Sequence, residues 1–182
     1  TDIYVDDQII STGDTNTYMQ FHASDQWRVV VGGSERLEVK NSSPHVYVSG
    51  DFAATGNITA YYSDERLKTK TGNIENALDK INSLQGFYYV ENDLARSFGF
   101  KSDKTQVALS AQQVQNIMPE CVSLAPFDIA DPEDFETGEE LEPRSKSGEN
   151  YLTVDYARLV PLLVEAIKDQ QKQIDKLKER LG

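Results

Sequence analysis

Ser63 and Lys68 stand five residues apart in the run Ser63-Asp64-Glu65-Arg66-Leu67-Lys68. A serine hydroxyl becomes a nucleophile when a neighbouring base takes its proton, and a lysine amine can be that base when desolvation holds it neutral. One turn of chain would bring the two side chains together. The spacing by itself is common, and the same run also reads as a helix cap at Asp64 followed by a solvated Lys68. Little else in the chain offers chemistry. His22 and His45 are the only histidines, which leaves no His-based metal or catalytic cluster. Cys121 is the one cysteine, so no internal disulfide forms; it follows Pro119-Glu120 without a nearby histidine and reads as a small buried hydrophobe. Neither a cofactor nor a metal is expected.

Composition narrows the classes further. The formal net charge of -12 argues against a nucleic-acid grip, because phosphate calls for a basic stripe. The acid is concentrated between Ala125 and Asn150, where nine Asp and Glu face only Arg144 and Lys146. That stretch reads as a solvated, acidic excursion and lacks the alternate ligand spacing of a calcium loop. No apolar run is long enough to cross a bilayer, and no signal peptide opens the chain. At 38% hydrophobic the chain is lean for a compact monomer, yet it holds nine Tyr and seven Phe. That combination suits partial cores completed by further copies of the same chain.

The elements that must position Ser63 and Lys68 follow two different grammars. Residues 1–62 read as short strands between turns. Trp27 to Val31 runs through Gly32-Gly33-Ser34 into the alternating Arg36-Leu37-Glu38-Val39, a hairpin signal. Further short strands are expected at His45–Val48, Ser49–Phe52 and Thr55–Ile58. Apolar residues are too few to close a sandwich, so the strands need cover, which three identical chains wound together would supply.

After Tyr62 helical spacing appears. Ile74, Ala77, Leu78, Ile81 and Leu84 share one face of a helix between an N-cap at Asn73 and a C′ residue at Gly86. Phe87–Val90 and Thr105–Leu109 are β-prone. Ser110-Ala111-Gln112-Gln113 has capping-box spacing and opens a helix that Pro119 stops. Tyr151–Val154 forms a last strand, and Asp155 caps a closing helix over 155–182 that Pro161 would bend. Along it Leu163, Ile167, Gln170, Ile174, Leu177 and Leu181 alternate in steps of three and four, an a/d seam for self-association. Packing of this helix on its own domain is the alternative.

Taken in order, these segments resemble the intramolecular chaperone domain, or S74 peptidase, of phage tail fibres, tailspikes and endosialidases. The resemblance rests on Ser63 to Lys68, then Ile74-Glu75-Asn76-Ala77-Leu78-Asp79-Lys80-Ile81 with Leu84-x-Gly86. It continues through Ala111-Gln112-Gln113-Val114-Gln115 to Pro119-Glu120, and ends with Tyr151 to Tyr156, Leu159 to Leu163 and Ala166-Ile167-Lys168. It departs from the family at Ala108-Leu109-Ser110, where a Gly-x-Ile usually precedes Ala-Gln.

The resemblance implies an α+β chain. Residues 1–62 would be the end of a β-structured fibre shaft of intertwined trimeric strands. Residues 63–182 would be a small chaperone domain with the acidic loop 125–150 and a coiled-coil helix. It implies a homotrimer that registers the upstream shaft and then cuts itself free between Tyr62 and Ser63, with Ser63 as nucleophile and Lys68 as general base. Asp64 and Arg66 would support the pair. The location implied is a virion tail fibre or tailspike, with the chaperone part released in the host cytoplasm. Two other readings stand beside it: an uncut structural trimerisation module, and a receptor-binding tip touching a host surface glycan through Tyr61, Tyr62, Trp27 or the acidic loop. None of the three involves nucleic acid or membrane insertion.

Overall fold

A computed structural model describes residues 4–41, 45–59, 62–130 and 143–182. The chain is α+β, with a β-rich part first, a small mixed part next and one long helix last. It divides into two compact units, the first running to Lys68 and the second formed by Thr69–Ile129 with Arg144–Gly182.

The first unit is an antiparallel meander of five strands in sequence order: β1 (Gln8–Ser11), β2 (Asp14–Ala23), β3 (Gln26–Val31), β4 (Ser34–Lys40) and β5 (Val46–Val48). The β3–β4 hairpin is the one expected from sequence. Its two turn residues, Gly32 and Gly33, have φ of 60° and 73°, the left-handed pair that matches the twist of the flanking strands. Strands β1 and β2 carry a weaker apolar signal, since β2 opens with Asp14-Thr15-Asn16-Thr17, and sequence reasoning passed over them. The strands expected at Ser49–Phe52 and Thr55–Ile58 do not form. The ladder ends at β5, Gly50 takes φ 119°, and the residues beyond have no strand beside them to pair with.

The second unit holds α1 (Ala77–Asn82), β6 (Gly86–Tyr89), α2 (Asp93–Ser97), β7 (Gln106–Leu109), α3 (Ala111–Ile117), β8 (Val122–Leu124), β9 (Leu152–Val154) and α4 (Val160–Leu181). Strand β6 pairs with β7 and β8 with β9, both antiparallel. Helix α1 is shorter than its apolar spacing suggested. Asn76, not Asn73, stands at its N-cap in the left-handed conformation that Asn tolerates, and Gly86 opens β6 instead of closing the helix. Ser110 caps α3 as expected, its Oγ accepting from the Gln113 N–H at 3.4 Å. The other arm of the capping box is spent elsewhere: Gln113 Oε1 accepts from the Gln85 N–H at 3.2 Å, tying the approach to β6 onto α3. Asp155 caps a 3-10 turn at Tyr156–Leu159, which leads into α4. Pro161 then falls in the first turn of α4, where its missing N–H costs nothing, so it does not bend the helix.

Ala77, Val114, Cys121, Leu159, Leu162 and Ala166 form the core of this unit, ringed by Ile74, Ile81, Leu84, Leu109, Ile117 and Met118. Cys121 is buried there as a small hydrophobe, and burial pushes its thiol pKa up, away from nucleophilic use. Leu162 is fully buried. Truncation to alanine leaves a hole between α1 and α4 that neither helix can easily close. Leu162→Ala is therefore expected to destabilise the unit by about 3 kcal/mol, read as a lower urea midpoint with an unchanged slope. Farther out, Phe98, Phe100, Phe127 and Tyr151 cluster with ring centroids 5.1–5.6 Å apart.

Candidate active site

The run from Ser63 to Lys68 folds around one short 3-10 turn, Glu65–Leu67. Asp64 caps it, its Oδ1 accepting from the Arg66 N–H at 2.9 Å. The backbone closes with Leu67 N–H to Asp64 O at 3.2 Å and Lys68 N–H to Glu65 O at 3.1 Å. Arg66 then folds back onto the cap: its Nε lies 3.1 and 3.2 Å from the two Asp64 oxygens, and its Nη2 lies 2.6 Å from Oδ2. The Arg66 hydrogen bonds hold the Asp64 carboxyl below its ordinary 3.8. Asp64 and Arg66 thus pair with each other and fix the turn.

Reversal of the chain over that turn brings Lys68 Nζ to 3.1 Å from Ser63 Oγ. This is the hydrogen-bond distance that transfer of the hydroxyl proton requires, and an amine once neutral can accept along the same line. Both side chains are exposed in the single chain, as is Tyr62 on the other side of the expected cut. The two descriptions left open by the sequence therefore coexist: Asp64 is a cap, and Lys68 reaches the hydroxyl. Among the described residues no group of three or more His, Cys, Asp and Glu could hold a metal ion.

The remaining residues singled out from sequence scatter. Leu163, Ile167, Ile174, Leu177 and Leu181 on α4 are exposed, from 40% at Ile174 to 87% at Leu181, and Gln170 is exposed with them. The buried residues of α4, Leu162 and Ala166, lie off this seam and pack in the core of the unit. Of the aromatics named for a glycan contact, Trp27 is half-buried and Tyr62 exposed, while Tyr61 lies outside the described residues.

One residue of the acidic stretch departs from its reading as a solvated excursion, which otherwise falls mostly on residues outside the described ones. Asp128 is buried, and its carboxylate accepts from Ser145 Oγ at 2.7 Å, the Ser147 N–H at 2.8 Å and the Tyr151 N–H at 2.9 Å. Together with the Ile129–Ser145 bridge it clasps the two ends of the stretch, whose residues 131–142 lie outside the described ones. Burial raises the Asp128 pKa, but the hydrogen bonds from Ser145, Ser147 and Tyr151 outweigh it and hold the group at about 2, against an ordinary 3.8. The folded pKa is the lower one, so this clasp stabilises fully above about pH 4 and is lost as pH falls toward 2. Asp128→Asn places an NH2 among donors and is expected to cost roughly 2–3 kcal/mol near neutrality. Urea titrations between pH 5 and pH 2 should show the variant losing less stability on acidification than the wild type.

Comparison with known proteins gives this geometry a context. Residues 63–123 match the peptidase S74 family model, described as a chaperone of endosialidase. The chain is 28% identical over 176 residues to the long tail fiber protein Gp37 of Enterobacteria phage K3, covering 94% of this chain and 12% of that protein. It is 30% identical over 155 residues to Gp37 of Enterobacteria phage T2, covering 82% of this chain and 10% of that one. The chain therefore spans about a tenth of the length of these relatives.

Proposed function

From the premise that residues 63–123 are a chaperone-of-endosialidase domain of the phage tail-fibre kind, we propose that this chain assembles and registers a fibre through its C-terminal part and then releases that part by cutting itself. In this reading residues 1–62 are the end of a fibre shaft, 63–182 are the chaperone, and the assembly is a homotrimer on the virion tail. The observation that carries it is the 3.1 Å approach of Lys68 Nζ to Ser63 Oγ beside the peptide bond to be cut.

The chemistry balances within the chain. Ser63 Oγ attacks the Tyr62 carbonyl carbon while its proton passes to Lys68 Nζ. The Tyr62–Ser63 C–N bond breaks as the proton is handed to the departing Ser63 nitrogen, and an ester joins Tyr62 to Ser63 Oγ. Water hydrolyses that ester, leaving a Tyr62 carboxylate and a free amine on Ser63. Both Ser63 and Lys68 are exposed in one chain, so the desolvation that keeps an amine neutral has to come with assembly. One turnover per chain is enough, and a modest rate serves.

The physical benefit lies in order of events. Contacts between chains carry a heavy closure cost, so a registered nucleus at one end speeds their formation. Removing that nucleus afterwards takes away the easy route back, which is kinetic stability. The test is intact mass and N-terminal sequencing of the assembled protein. A product starting at Ser63 with a free amine is expected. A chain that stays whole once fully assembled leaves the uncut structural module as the reading, and a cut elsewhere removes Ser63 from its role.

A further inference from the structure

The register of the five-stranded sheet sorts its side chains into rows. Ile9, Met19, Val29, Leu37 and Val48 stand opposite one another in turn across all five strands. One residue along, the row is Gln8, Gln20, Arg28, Glu38 and Tyr47. Successive strand residues point to opposite faces, so one face carries an unbroken apolar row, while the other is mainly polar with Ile10, Tyr18 and Val30 also on it. The apolar face is also the open one: Ile9 is 51% exposed, Met19 41% and Phe21 55%, whereas Glu38 on the polar face is buried.

The polar groups pair with one another within the chain. Arg28 donates to Gln20 Oε1 through Nε at 2.9 Å and Nη2 at 2.6 Å. Glu38 holds Lys40 at 3.2 Å and His22 at 3.3 Å. His22 Nδ1, the one buried side-chain polar atom without a partner among the described residues, is inaccessible to another molecule. The sheet thus leaves apolar residues of one face open to water in the single chain.

We infer that the apolar face of this sheet is the surface on which further copies of the chain pack, sheet against sheet. The inference rests on the proposed assembly through α4, and it names the surface that assembly brings together in the first unit. The strands already pair within one chain, so the winding expected from the sequence proceeds by apposed faces and leaves these ladders intact. Two observations, together with the proposed assembly through α4, select another copy as the occupant. The apolar row carries no charge, so chains of net charge -12 meet there without bringing acids together. The edge strands are short, four residues in β1 and three in β5, and β1 is irregular at Ile10/Ser11, which leaves little ladder for pairing edge to edge. Copies joined through α4 also hold their own sheets at high effective concentration, which favours self over a foreign partner. A contiguous apolar surface left open in one chain is what such an interface looks like before it closes.

Single-cysteine reactivity tests this on the full chain, with buried Cys121 as a slow internal reference. Met19→Cys and Gln20→Cys place a thiol on the two faces of one strand. Maleimide reaction is followed in the assembled protein and in an Ile167→Asp/Ile174→Asp background that opens the α4 seam, with solution mass measured in parallel. The Met19→Cys thiol is expected to react at least about tenfold more slowly in the assembly than in the separated chains, as befits an interface core, while Gln20→Cys changes little. An assembled protein in which Met19→Cys reacts as fast as in separated chains overturns the face and leaves the helix seam standing. A chain that is monomeric throughout overturns both. Ile9→Cys reads the same face from β1 should Met19→Cys fail to fold.

Discussion

Ser63→Ala is expected to keep the chain in one piece under every condition in which the wild type separates into Thr1–Tyr62 and Ser63–Gly182. In the proposed mechanism the hydroxyl is the group that attacks the Tyr62 carbonyl, so its loss should slow cleavage by at least about 10³-fold. Assembly should be untouched, because the Ser63 side chain is exposed and its one described contact is with Lys68. Lys68 separates base catalysis from simple contact. Lys68→Arg keeps the charge and can still donate to Ser63, but a guanidinium does not give up its proton in this range and should be nearly as inactive as Ser63→Ala. Lys68→Met should be equally inactive. A Lys68→Arg chain that cuts at the wild-type rate would remove Lys68 from the mechanism, whatever the 3.1 Å contact suggests.

The second large effect concerns α4. Ile167 and Ile174 are exposed in the single chain at 65% and 40%, and they occupy the same position in two successive heptads. The helix does not depend on them for its place in the second unit, because Leu162 and Ala166 supply that packing from a different stripe. Ile167→Asp/Ile174→Asp should therefore leave a folded monomer. Each aspartate would put an unpaired charge into an apolar seam, weakening association on the order of 10²-fold per site. Sedimentation should show the assembled species giving way to monomer, with a thermal transition retained. About three heptads are marginal on their own, so even one of the two changes should be visible at micromolar concentration. An assembly indifferent to both would mean that the apolar seam serves some other purpose.

What the sequence disclosed depended on how far its signals reached. The β3–β4 hairpin was legible because Gly32-Gly33 sits between alternating runs, all within a dozen residues. The approach of Lys68 to Ser63 spans one short turn and was open to local reading, but that spacing is common, and the roles given to the pair came from the resemblance. Helix α1 was found but over-extended, since apolar spacing runs on through Ile74 and Leu84 while the backbone turns left-handed at Asn76. Strands β1 and β2 were missed because half of β2 is polar, and its apolar residues face outward where a monomer would place water. Asp128 could not be distinguished from its acidic neighbours. Its partners lie 17, 19 and 23 residues away, at Ser145, Ser147 and Tyr151, and only the folded chain brings them together.

Residues 1–62 offer the most direct measurement of all. They can be prepared in two ways: produced alone, or released from the full chain by its own cleavage. The account predicts that the released segment stays assembled, while the segment produced alone, which never had the C-terminal part to align it, fails to reach that state on the same timescale. If the segment produced alone assembles equally fast and to the same mass, nothing in the chain needs a chaperone, and the account is wrong.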